Sequence, residues 1–80
     1  MSKKKSYQNR FLKEADIPAR LGKTVYIRKE HHERIQRLVR VMTDDKVSIF
    51  SYIDNVLSSH FEDCRKEMQE QYDKKVKPLF

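Results

Sequence analysis

The sequence predicts a mainly helical chain with one short β-strand, whose strand finds its pair only in a second copy of the chain. Three observations carry that expectation. Residues 23–30 read KTVYIRKE, where Val25 and Ile27 share one parity and Thr24, Tyr26 and Arg28 the other. Such alternation is the period of a half-buried strand. Every later apolar pattern repeats at helical spacing, so no second strand exists within the chain to satisfy the first. Finally, the chain has 80 residues of which 38% are charged, with a mean hydropathy of -0.90. A chain so short buries only about 60% of its unfolded surface, and a partner that extends the core is a natural remedy.

The elements follow in order. Residues 1–22 are expected to be a flexible basic arm. Tyr7, Phe11, Leu12 and Ala15 make at most a short amphipathic turn, and an isolated helix of that length is marginal in water. Pro18 and Gly22 punctuate the way to the strand at 23–28. In EHHERIQRLVRVM, residues Ile35, Leu38, Val39 and Met42 form the apolar face of a first long helix. TDDKV breaks it, and Ser48 is placed to cap the next helix. There Ile49, Ile53, Val56, Leu57, Phe61, Cys64 and Met68 keep a stripe at spacings of three and four. The charged extension at 65–80 is expected to continue that helix to Pro78, helped by the pairs Glu62–Lys66, Glu70–Lys74 and Asp73–Lys77.

Charge is concentrated by position. Residues 1–29 carry nine Lys or Arg against Glu14 and Asp16, while residues 30–80 carry nine basic and ten acidic side chains. The basic excess therefore precedes the first long helix, which points to a polyanion and to nucleic acid before an anionic membrane. The start, MSKKKSYQNR, has no apolar signal-peptide core, and no run reaches the length of a membrane span. One cysteine excludes an intramolecular disulfide and suits a reducing compartment. A cytoplasmic protein without membrane contact is expected.

At TVYIR, ERIQRLVRVM and KVSIFSYI the chain resembles the ribbon-helix-helix family of Arc- and Met-repressor-like DNA-binding proteins. The resemblance covers residues 23–64. It implies an intertwined homodimer whose two strands pair as an antiparallel ribbon, with a dimer core of Val25, Ile27, Ile35, Leu38, Val39, Met42, Ile53, Val56, Leu57 and Phe61. It further implies base contacts from Thr24, Tyr26 and Arg28, and a phosphate held at the start of the second long helix by Ser48 and Ile49. Helix N-termini favour anions in general. Lys23, Lys29, Lys46 and the triplet Lys3, Lys4, Lys5 are expected to add phosphate contacts. The family often has glycine in the inter-helix turn; the comparable position here is Lys46, with Asp44 and Asp45 beside it. RKEHHERIQRLV and SIFSYIDNVLSSHFE also resemble small proteins of Bacteroides-type conjugative transposons.

Each sharp reading has a plain rival. Arg28 suits a bidentate contact to guanine, against a solvent-facing charge. Tyr26 reaches toward DNA or folds back over the core, and Thr24 reads a base or only favours a strand. Arg34, Arg37 and Arg40 track one solvated side of a helix. His60 and Cys64 lie four apart on one helix face, but two ligands fall short of the four of a structural zinc site. Cys64 reads better as a small apolar filler. No glycine-rich phosphate loop and no nucleophile arrangement is present, so neither an enzyme nor a cofactor is expected. The expected function is sequence-specific binding of double-stranded DNA, as a transcriptional regulator or a DNA-processing accessory of a mobile element. The rival is a dimeric scaffold, antitoxin-like or relaxosome-associated, that grips a protein through residues 65–80.

Overall fold

The computed structural model describes residues 3–75, with side chains over 7–75. Its elements are α1 (Lys3–Phe11), a 3-10 turn at Ala19–Leu21, α2 (Lys29–Thr43), α3 (Ile49–Asp63) and α4 (Arg65–Asp73). α3 is the hub, on which α1 and α2 pack, and α4 follows it after the single residue Cys64.

α3 begins where Ser48 stops the extended backbone: its hydroxyl accepts a hydrogen bond from the Ser51 N–H at 3.0 Å. That caps one of the free donors of the first turn. α2 ends in a short turn and contributes Val39, 3% exposed, which with Val47 makes up the buried apolar core among the described residues. Thr43 ties the turn together. Its Oγ1 donates to the Val39 carbonyl at 2.6 Å and accepts from the Val47 N–H at 3.2 Å. Asp44 and Asp45 then take the left-handed backbone, φ 54° and 63°. The turn therefore needs its conformational freedom at these two aspartates, not at Lys46.

The expected fold class is overturned. The described residues are helical or irregular and contain no strand, so there is no ribbon and no ribbon-helix-helix arrangement. Residues 23–28 have neither helix nor ladder. Alternation becomes a strand only where one face is covered. Here Val25 is 75% and Ile27 37% exposed on one face, and Tyr26 is 99% exposed on the other, so neither face is.

The expected dimer core divides accordingly. Val39 is buried; Ile35, Leu38, Ile53 and Val56 are half-buried; Val25, Ile27, Met42, Leu57 and Phe61 remain exposed. The long second helix is also corrected: it is interrupted at Cys64, where φ is -107° and ψ 11°, although the Cys64 N–H still donates to the His60 carbonyl and the Met68 N–H to the Cys64 carbonyl. Neither Glu62–Lys66 nor Glu70–Lys74 forms an ion pair, whereas Gln69 Nε2 donates to Asp73 Oδ1 at 2.7 Å. Lys77 lies outside the described residues, as does the end of the 65–80 extension from residue 76.

The N-terminal segment, expected to be a flexible arm, carries α1 and docks on the chain's own α3. Asn55 Nδ2 donates to the Phe11 carbonyl at 2.9 Å and to the Lys13 carbonyl at 2.8 Å. The Ala15 N–H donates to Ser51 Oγ at 2.9 Å, and Arg10 pairs with Asp63 at 2.7 Å. The hydroxyls of Tyr7 and Tyr52 are hydrogen-bonded, and Phe11 stacks at 4.8 Å from the Tyr7 ring. Short-range propensity gives no hint of this, because the partners lie some forty residues away.

Candidate nucleic-acid interface

The basic, acid-free stretch of the chain falls on the one long segment that the helices leave uncovered. Between Asp16 and Glu30 there is no acidic residue, while Arg20, Lys23, Arg28 and Lys29 are all basic. Arg20 sits in the 3-10 turn, which Pro18 enters with φ -74° and ψ 150°. Gly22 holds the segment against α3: a methyl added there would stand 3.3 Å from the Ala19 carbonyl and 3.4 Å from the Phe50 ring. Beyond Gly22 the chain is exposed until α2 begins at Lys29, for which Arg28 supplies an uncapped start. Tyr26 is 99% exposed, so it does not fold back over the core.

The expected base-contacting residues Thr24, Tyr26 and Arg28 thus lie together on this segment with Lys23 and Lys29, all of them exposed. Arg28 has one loose ionic neighbour, Glu30 at 3.8 Å. An exposed pair at that distance is worth little and releases the guanidinium readily.

The other expected anchor is less favourable. Ser48 Oγ is committed to capping α3, accepting from the Ser51 N–H and donating to Ser51 Oγ at 3.0 Å. The open cavity of about 340 Å³ at this helix start is lined by Glu14, Asp16 and Asp45 as well as Lys46. Three carboxylates around Ile49 and Lys46 oppose the approach of a phosphate. Arg34 and Arg37 share a groove on α2 with Glu30 and Glu33, so that flank is mixed in sign. The side chains of Lys3, Lys4 and Lys5 lie outside the described residues.

For metal chemistry, His60 Nδ1 and Cys64 Sγ come within 3.9 Å, but no third His, Cys, Asp or Glu joins them among the described residues. The residues that sequence reasoning missed are Ser51, Asn55 and Ser59, buried polar side chains four apart on α3. Their signal was present: small polar residues at helical spacing, opposite the apolar stripe, form a face that accepts another backbone closely. No helix among the described residues is long and apolar enough to cross a membrane.

Fold and surface together define a small, basic chain whose regular elements among the described residues are helices and whose cationic linker is open to solvent. A family described as a protein of unknown function, DUF3408, matches residues 1–75, and the chain belongs to that family. No curated protein and no solved structure matches it.

Proposed function

We propose that this protein binds double-stranded DNA through residues 20–29. The observation that carries the reading is the coincidence of four cations, no acid and a fully exposed Tyr26 on one uncovered segment. Phosphate neutralisation by Lys23, Lys29 and Arg20 supplies affinity, and Arg28 reaches the base edges. Tyr26 adds a ring that contacts bases or sugars without changing the charge count. A protein of this kind serves as a transcriptional regulator or as an accessory in DNA processing.

The test is a titration of a labelled duplex at several salt concentrations. If Arg20, Lys23 and Lys29 each neutralise a phosphate, log K falls against log salt with a slope of about -2.7. Lys23→Ala should weaken binding to all sequences alike and reduce that slope by about one, whereas Arg28→Ala should narrow the gap between preferred and random DNA. Absence of binding at about 50 mM salt would remove the electrostatic basis of the proposal. A scaffold role is the second reading, and the half-exposed stripe running from α3 into α4 favours it.

A further inference from the structure

The junction of α3 and α4 carries an inference independent of DNA binding. His60, Cys64 and Met68 are spaced four and four. Although Cys64 interrupts the helix, the backbone ladder persists across it. The Cys64 N–H donates to the His60 carbonyl at 3.0 Å, and the Met68 N–H to the Cys64 carbonyl at 2.9 Å. The three residues therefore follow one another a turn apart on the same side. All three line one open groove of about 550 Å³. His60 is exposed while Cys64 and Met68 are half-buried, so the imidazole stands in water and the residues that carry sulfur are partly screened from it.

We infer that His60 Nδ1, Cys64 Sγ and Met68 Sδ bind a soft monovalent cation, copper(I). The donor types carry the choice of ion, because thiolate and thioether select copper(I) and imidazole accepts it as well. Among the described residues no carboxylate converges with His60 and Cys64, so the donor set that zinc or a harder cation requires is not assembled.

The separation of the donors agrees. His60 Nδ1 and Cys64 Sγ stand 3.9 Å apart. With bonds of about 2.0–2.1 Å to nitrogen and about 2.3 Å to sulfur, that separation sets an angle of about 125–130° at the metal. A tetrahedral centre would bring the same two atoms to about 3.6 Å. The wider angle suits a three-coordinate ion and leaves the third place to Met68, whose unbranched thioether has three rotatable bonds with which to reach it. On binding, Cys64 gives up its thiol proton to solvent and His60 offers the Nδ1 lone pair, with its own proton held on Nε2. Thiolate and cation cancel in charge, and the ion keeps its oxidation state throughout.

The full chain, titrated anaerobically with copper(I) against a chromophoric copper(I) chelator, tests the inference. The expected result is one ion per chain, lost in Cys64→Ser and held at least about tenfold more weakly in both His60→Ala and Met68→Leu. Circular dichroism checks that each variant keeps its helicity. A second measurement depends on no variant: X-ray absorption of the wild-type complex should show one nitrogen and two sulfurs around copper. Zinc(II) at equal concentration should leave the copper in place. The inference is overturned if Met68→Leu or His60→Ala binds like the wild type, or if one ion is shared between two chains. It is overturned equally by a different set of donors, or by zinc binding as tightly as copper(I).

Discussion

Asn55 is the side chain on which the N-terminal third of the molecule turns. It is 5% exposed and spends both its amide hydrogens on carbonyls at the end of α1 and just beyond it, those of Phe11 and Lys13. Replacing it by alanine leaves the Phe11 and Lys13 carbonyls without that donor, a change worth about 1–3 kcal/mol for a buried group. Asn55→Ala should therefore release α1, seen as faster amide exchange and faster proteolysis at residues 13–20, while α2 and α3 keep their protection. Equal loss of protection throughout the chain would show that α1 does not detach as a unit.

Tyr52 offers a pH test at the same scale. Burial, then the hydrogen bond to Tyr7, then the Tyr7 charge push its phenol up to about 12 from the ordinary 10.0. A raised folded-state value means that the folded chain keeps a proton which the unfolded chain releases. Its stabilising contribution is thus complete below pH 10 and lost as pH rises through 12. Denaturant midpoints followed across that window should fall more steeply in the wild type than in Tyr52→Phe.

Among the elements, the turn between α2 and α3 is the place where sequence and conformation are least well matched. Two successive left-handed aspartates crowd Cβ against backbone, at a cost of roughly 1–2 kcal/mol per residue for ordinary side chains and less for aspartate. Asp45→Gly should accordingly raise stability by about 0.5–1 kcal/mol, measured as a higher urea midpoint at unchanged slope. A lower midpoint would mean that the Asp45 carboxylate holds a contact that outweighs the strain.

Legibility also differs by element. α2 and α3 could be placed from their apolar spacing and from Ser48, because both signals are local. The break at Cys64 was not legible: the stripe runs through it without interruption, and no Pro or Gly marks it. The docking of α1 was hidden for a different reason. It depends on Ser51, Asn55 and Ser59, polar residues that read as solvent-facing until a second backbone is laid over them. The strand expected at 23–28 failed because alternation specifies which side chains share a face, not that anything will cover it. The cationic character of that segment was plain from its composition, whereas the carboxylates of Glu14, Asp16 and Asp45 gathered at the start of α3 required coordinates.

At the scale of the whole molecule, two surfaces of opposite character sit on different elements. Residues 20–29 are charged and irregular; the stripe from Leu57 to Met68 is apolar and helical. If residues 20–29 bind DNA as proposed, Lys23→Ala should weaken binding and flatten its salt dependence, whereas Phe61→Glu, on a different element, should leave both unchanged in a fluorescence titration.

The seam between α1 and α3 has one more consequence, for heat capacity. Its direct ties are an amide, hydroxyls and an ion pair, with the rings of Tyr7, Phe11 and Tyr52 set beside them. Wetting polar groups lowers heat capacity, while wetting apolar ones raises it. Detachment of α1 therefore adds little curvature to the dependence of stability on temperature. Cooling, which loosens apolar contacts, leaves this seam comparatively untouched.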